Sequence, residues 1–449
     1  MVAQATPDSR AVTRKLFGTD GVRGAAGEVL TAELALRLGR AAVLQTRVER
    51  PRVLVIRDTR ESGEMLEAAI AAGVAAAGGD VLLGGVLPTP AAPLLIGRYH
   101  FDLGVVLSAS HNPYRDNGIK FFGADGFKLS DEIELEIERH LEEPPPPGTA
   151  IGRVRTLHGT QEDYLRELHA RFAGLDLEGL DVLLDCANGA TYRVAPEIFR
   201  RLHASVTVLN DAPDGRNIND GCGSTHIERL AEAVVAGGHA VGFAFDGDGD
   251  RVLAVDRSGA VVDGDELIAL AALHFRRLGR LPGDGVVVTV MTNYGFHAAM
   301  EQAGVRVATT KVGDRYVLEE LRERGWALGG EQSGHIIDMG FVPSGDGIAS
   351  ALLTLEALGR EDLADRHAME KLPQRLVNVP VDDRDAVVAS RELSEASDRE
   401  GRALEGRGRV LVRPSGTEQL VRVMVEAPTA DEASEVCERL VAVVQGVGR

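Results

Sequence analysis

A chain of 449 residues is too long for one ordinary domain; with 44% hydrophobic and 26% charged residues it has the balance of a soluble globular protein of three or four domains. A formal net charge of −19 argues against nucleic acid or an anionic membrane as partner, because both need clustered positive charge. An anionic small molecule remains compatible, provided that basic residues converge locally. Cys186, Cys222 and Cys437 are odd in number and lack CxxC spacing, which disfavours a disulfide framework and fits a reducing compartment. The first fifteen residues are polar and do not read as a signal peptide, and the apolar stretch 81–96 is broken by Gly84, Gly85, Pro88, Pro90 and Pro93. The cytoplasm is expected by elimination.

In chain order, one pattern recurs three times: a β-branched run, a turn, an Ala/Leu-rich helical stretch and a second apolar run. It covers 52–56, 62–77 and 81–83, then 181–184, 192–202 and 206–209, then 286–290, 296–303 and 305–309. Such alternation predicts βαβ units with parallel strands. Between the first and second copies, Ser130 is positioned to cap an acidic helix with Ile133, Ile137 and Leu141 on one face, stopped by the prolines at 144–147. After the third copy, 409–413 and 420–426 read as strands. In the second of these, Val421, Val423 and Val425 alternate with Arg422, Met424 and Glu426. Thr429 and Glu432 then form an expected capping box, opening a helix whose apolar face carries Val436, Leu440 and Val443. The fold class is therefore α/β, with three topologically similar mixed α/β domains and a C-terminal α+β domain. The expected boundaries give domains at 1–150, 151–260, 261–373 and 374–449.

Four loops carry chemistry. Ser108-Ala109-Ser110-His111-Asn112-Pro113 follows an apolar run, where ligands bind in open α/β sheets, although a serine/asparagine turn ended by proline reads the same way. Asp246-Gly247-Asp248-Gly249-Asp250-Arg251 places three carboxylates at alternate positions, whose mutual repulsion calls for a cation. Hard oxygen donors with few others suit magnesium, and Arg257 and Ser258 stand where an EF-hand loop would carry glutamate. Arg413-Pro414-Ser415-Gly416-Thr417 combines a guanidinium, two hydroxyls and glycine-freed amides, a suitable phosphate cradle. Gly330-Glu331-Gln332-Ser333-Gly334-His335 offers hydrogen bonds to sugar hydroxyls but also reads as a polar surface loop. Looser candidates are Arg23 in the glycine-rich stretch 17–24, Lys120, and Lys311 and Arg315 around Val312-Gly313-Asp314.

In their order and spacing these four loops resemble the α-D-phosphohexomutase superfamily across nearly the whole chain, and the stretches 17–24, 108–122, 215–225, 330–335 and 413–426 resemble its glucosamine branch. Gln419 departs from the proline expected there. The resemblance implies four domains around a central cleft and a mutase that interconverts the 6- and 1-phosphates of glucosamine. It implies that Ser110, and not Ser108, is the phosphorylated nucleophile. One Mg²⁺ per chain would be held by Asp246, Asp248, Asp250 and a Ser110 phosphate oxygen, and a sugar 1,6-bisphosphate would act as intermediate and activator. Glu331 and Ser333, with His335, would bind the sugar. Arg413, Ser415, Gly416 and Thr417, assisted by Arg422, would hold the phosphate that is not transferred. Arg23, Arg251, Lys311 and Arg315 would offset phosphate charge, and Lys120 or His111 would accept the proton. A glucose- or mannose-phosphate mutase, a phosphatase and a non-enzymatic sugar-phosphate sensor are the alternatives. The expected partner is the phosphosugar alone, without nucleic acid or membrane, and a homodimer is left open.

Overall fold

A computed structural model of the chain describes residues 16–18, 20–146, 149–415 and 418–448. Its strands form four sheets. The first contains β1 (Val22–Ala25), β2 (Arg52–Arg57), β3 (Asp80–Val86), β4 (Leu103–Leu107), β5 (Asp116–Gly123) and β6 (Val154–Thr156), in the order β1-β5-β4-β2-β3-β6. β2 pairs parallel with both β3 and β4. The interior of β2 and all of β4 are buried, as the unbroken Val/Leu/Ile runs of a sheet covered on both faces require. Beyond residue 150, where the first domain was expected to end, β6 still joins this sheet alongside β3.

The second sheet holds β7 (Asp181–Asp185), β8 (Ser205–Leu209), β9 (Val241–Phe245), β10 (Val252–Asp256) and β11 (Val261–Val262), in the order β11-β10-β9-β7-β8. The third holds β12 (Gly285–Thr289), β13 (Arg306–Thr310), β14 (Leu328–Gly330) and β15 (Ile336–Asp338), in the order β13-β12-β14-β15. All three recurring units contain the expected parallel pair, β2–β3, β7–β8 and β12–β13. The C-terminal unit is a three-stranded antiparallel sheet of β16 (Gln374–Pro380), β17 (Arg409–Pro414) and β18 (Leu420–Glu426), ordered β16-β18-β17, with helices on it.

One large apolar core runs through the first three units, including Phe199, Phe243, Phe245, Phe275 and Phe296, all buried, while the C-terminal unit has its own. Burying each such side chain contributes about 1.5–3 kcal/mol, so the few aromatics are concentrated where they stabilise most. Three local expectations are corrected. Thr429 accepts the Glu432 N–H, but the Glu432 carboxylate pairs with Arg407, so only half of the capping box forms. In the same helix Val444, rather than Val443, completes the deeply buried face with Val436 and Leu440. Ser130 occupies the N-cap of Asp131–His140, yet its hydroxyl makes no capping bond. The three cysteines are buried and unpaired. Among the described residues, no helix is long and apolar enough to cross a membrane.

The topology positions the chemistry. Ser110 follows the carboxyl end of β4, the triple-aspartate loop follows β9, and Glu331 follows β14. Each of these strands runs parallel to a neighbour in its sheet, so three successive units present the corresponding strand end.

Candidate active site

The strand-end loops converge on a cavity of about 340 Å³. Its walls include Asp20, Arg23 and Ser110 from the first unit, Asp250 and Arg251 from the second, and Asp314, Glu331 and His335 from the third.

Ser110 sits in the left-handed region at φ 53°, which costs a non-glycine residue roughly 1–2 kcal/mol. The surroundings hold it there. Its N–H donates to Ser108 Oγ at 2.9 Å, and its carbonyl accepts from Arg60 Nη2 at 3.0 Å and Asn219 Nδ2 at 2.9 Å. The buried hydroxyl donates to Asp246 Oδ2 at 2.5 Å. Gly247 makes this meeting of loops feasible, since a Cβ there would stand 2.6 Å from the Ser110 carbonyl oxygen.

Asp246, Asp248 and Asp250 are all buried, with candidate ligand atoms within 4.8 Å of one another. Asp248 Oδ1 and Asp250 Oδ1 are buried without a hydrogen-bond partner among the described residues. Burial, and then the charges of Asp250 and Asp248, push the Asp246 carboxyl well above its ordinary range. Buried, mutually repelling oxygens with unused acceptor capacity fit a hard divalent cation. Asp248 Oδ2 is already shared by Thr89 Oγ1 at 2.7 Å and Lys120 Nζ at 2.9 Å.

The two candidate bases are sharply distinguished. Lys120 is buried; although burial opposes its charge, Asp20 at 3.1 Å, Asp248 and Asp250 raise its pKa far above the usual lysine range. His111 is driven the other way, down to about 4, by burial and by Arg251 and Arg23. Its Nδ1 accepts from Arg251 Nη1 at 3.2 Å and lies 3.4 Å from Ser110 Oγ. His111 is therefore neutral at physiological pH and beside the Ser110 hydroxyl, whereas Lys120 is held as an ammonium.

The third unit supplies Glu331, whose Oε1 accepts the Gly313 N–H at 2.9 Å, and His335, whose Nε2 accepts the Gly345 N–H at 3.2 Å. Burial works against the His335 charge, but Asp250, Asp314 and Glu331 leave its pKa raised. Ser333 is exposed and lies outside the cavity lining. Lys311 is also exposed and outside it. Arg315 is turned away from the cavity: its guanidinium donates to Asp131 and to the Leu129 carbonyl and pairs with Glu134 at 3.0 Å, bridging the third unit to the first. The phosphate-offsetting role expected of it therefore has no geometric support.

In the C-terminal unit Arg413 and Arg422 are direct cross-strand partners. Burial and the facing Arg422 lower the Arg413 pKa. Ser415 is buried, and its carbonyl accepts from Arg384. Gly416 and Thr417 lie outside the described residues.

Sequence reading missed Arg60, Asn219, Thr89 and Lys128. Lys128 joins Asp20 to Asp314 across two units. Each acts on a loop remote in sequence, and only the Asp58-Thr59-Arg60 cluster at the end of an apolar run offered a local signal.

Comparison with known proteins agrees with this architecture. Models of the phosphoglucomutase/phosphomannomutase family match in four parts: α/β/α domain I at residues 14–146, domain II at 156–259, domain III at 263–376 and the C-terminal domain at 376–443. A phosphoglucosamine mutase of Moorella thermoacetica is 53% identical over 443 residues, covering 96% of this chain and 100% of that protein. One of Desulforudis audaxviator is 53% identical over 445 residues, covering 97% and 98%. The crystal structure of a phosphoglucomutase/phosphomannomutase family protein from Burkholderia thailandensis superposes with a TM-score of 0.80 at 24% identity, covering 97% of this chain and 98% of that one.

Proposed function

The chain belongs to the phosphoglucomutase/phosphomannomutase family, and on that footing we propose that it interconverts glucosamine 6-phosphate and glucosamine 1-phosphate through a phosphorylated Ser110. The observation that carries the reading is the meeting of the Ser110 hydroxyl with a buried three-carboxylate cluster, of which Asp250 lines, with Ser110, one cavity walled by three units. The substrate choice draws on the two relatives at 53% identity.

Asp246, Asp248 and Asp250, with an oxygen of phosphorylated Ser110, would hold Mg²⁺, which supplies charge neutralisation between the phosphoryl groups. The protein's own cations would do the rest: Arg23 and Arg251 line the same cavity as Ser110. In the first half-reaction the sugar's 1-oxygen bonds to phosphorus as the bond to Ser110 Oγ breaks. The hydroxyl proton needs an acceptor; of the two candidates, Lys120 is held as an ammonium, and His111, which is neutral and adjacent to Ser110, could take it only once its Nδ1 is released from Arg251. The resulting 1,6-bisphosphate turns over in the cleft and returns its 6-phosphoryl group to Ser110; a sugar 1,6-bisphosphate would likewise prime a dephosphorylated chain. Arg413, Ser415 and Arg422 would grip the phosphate not in transfer, while Glu331 and His335 would bind the sugar. No nucleic acid or membrane enters this scheme, and the cytoplasm suits its substrate.

The test is a side-by-side measurement of kcat/KM for glucosamine, glucose and mannose 6-phosphates with Mg²⁺ and a bisphosphate activator. Glucosamine 6-phosphate is expected to lead. A lead for glucose or mannose would overturn the substrate reading, and release of free phosphate in place of a 1-phosphate would overturn the mutase reading.

A further inference from the structure

Ser110 and Asn112 each expose a carbonyl oxygen toward the body of the protein, and each oxygen receives two N–H groups from two different units. Arg60 of the first unit is wholly buried, with all three guanidinium nitrogens engaged. Nε donates to Asp58 at 2.8 Å, Nη1 to the carbonyls of Asp116 at 2.9 Å and Pro113, and Nη2 to those of Ser110 at 3.0 Å and Asn112 at 2.8 Å. From the second unit, Asn219 Nδ2 reaches the same two carbonyls, at 2.9 Å to Ser110 and 3.2 Å to Asn112. The amide orientation is dictated by chemistry, because Oδ1 in that position would face two other oxygens. Its Oδ1 is consequently left buried with no partner among the described residues. Asn219 is itself left-handed, at φ 57°. The N–H groups that it supplies to the two carbonyls offset the unpaired oxygen.

We propose that Arg60 and Asn219 are positioning residues that clamp the nucleophile loop from two units, so that the rate of phosphoryl transfer at Ser110 depends on them although neither touches the reacting atoms. The clamp links three parts of the site. It fixes the left-handed backbone that aims Ser110 Oγ at Asp246. It also sets the distance to the metal loop, since a Cβ on Gly247 would lie 2.6 Å from the Ser110 carbonyl and 2.7 Å from Asn219 Nδ2. A planar fork with several donors is needed on the Arg60 side, which a lysine does not provide.

This inference rests on Ser110 being the nucleophile. The experiment uses the full chain, dephosphorylated, and follows by intact mass the rate at which glucose 1,6-bisphosphate phosphorylates Ser110. Steady-state kinetics and urea stability are measured alongside. Asn219→Asp preserves volume while replacing the donor with a repelling oxygen. It is expected to slow phosphorylation and lower kcat by roughly tenfold or more, with KM changed by no more than about twofold. Asn219→Ala is expected to fall between it and the wild type, and Arg60→Lys to behave like Asn219→Asp. Should Arg60→Lys not fold, Asn219→Asp decides alone. A phosphorylation rate per folded molecule equal to wild type, whatever the loss of stability, would overturn the clamp. Ser110→Ala is the control: if that variant still takes up phosphate, the nucleophile assignment fails instead.

Discussion

Ser108 and Ser110 stand two positions apart in one buried loop, yet their hydroxyls face different neighbours. Ser108 Oγ donates to Asp58 at 2.7 Å and accepts the Ser110 N–H, so it is part of the loop's internal scaffold. Ser110 Oγ reaches outward to Asp246. Ser110→Ala is therefore expected to abolish transfer while changing stability by less than about 1 kcal/mol. Ser108→Ala is expected to retain transfer within about tenfold of wild type but to lose roughly 1–3 kcal/mol, because a buried acceptor and a buried donor lose their partner. Turnover together with urea denaturation of both variants checks this; inactive Ser108→Ala beside active Ser110→Ala would reverse the assignment. The aspartate triad was legible in the sequence because three carboxylates at alternate positions carry their own chemistry within a few residues, whereas the serine motif read equally as a turn and drew the role proposed for Ser110 from the family resemblance. Arg60 and Asn219 were not legible, because an arginine after an apolar run or an asparagine in a polar turn acquires meaning only from a carbonyl on a distant segment.

At the level of elements, β17 and β18 place Arg413 opposite Arg422. Like charges directly across a strand pair destabilise it. The nearest counter-charge to Arg422 is Glu418, 3.8 Å away, and Arg422 Nε is buried without a hydrogen-bond partner among the described residues. Arg384 meanwhile donates to the carbonyls of Ser415 and Glu418, which does not neutralise the pair. Such an arrangement is poised for an anion. Arg413→Ala is expected to raise KM for the phosphosugar and to lower kcat/KM by roughly tenfold to a hundredfold, through loss of a charge-assisted contact. Its thermal stability should hold or rise slightly without ligand. Inorganic phosphate should raise the Tm of the wild type more than that of the variant; equal shifts and unaltered kinetics would show that the segment is only a turn. The alternation of Val421, Val423 and Val425 made β18 readable, but the opposed arginines required the register of two strands. Arg315 teaches the reverse lesson: beside Asp314 it looked like a phosphate ligand, and tertiary packing committed it to Asp131 and Glu134.

Across the whole molecule, the repeated βαβ pattern revealed the kind of unit but not how the units are tied together. Several ties are polar and partly or wholly buried: Lys128 to Asp314, Arg315 to Glu134, and Tyr164 of the second unit to Asp346 of the third. The last has a consequence in pH. Tyr164 donates to both Asp346 oxygens, at 3.0 and 2.9 Å, and Asp346 also caps the helix Gly347–Leu358. Burial outweighs these hydrogen bonds and lifts the Asp346 pKa from 3.8 to about 6. The native state thus binds this proton more tightly than the unfolded chain. The resulting stabilisation is complete below about pH 4 and is lost as the pH rises through about 6. Asp346→Asn keeps a capping oxygen and an acceptor for Tyr164 but has no charge to desolvate. Its unfolding free energy relative to wild type should therefore improve between pH 5 and pH 8 by about 1.4 kcal/mol, the part of the linkage of a two-unit rise in pKa that falls within this window. Urea titrations of both proteins at the two pH values measure this directly. A difference that stays constant with pH would mean that Asp346 does not titrate between them, and that the tie between the second and third units is a fixed ionic hydrogen bond.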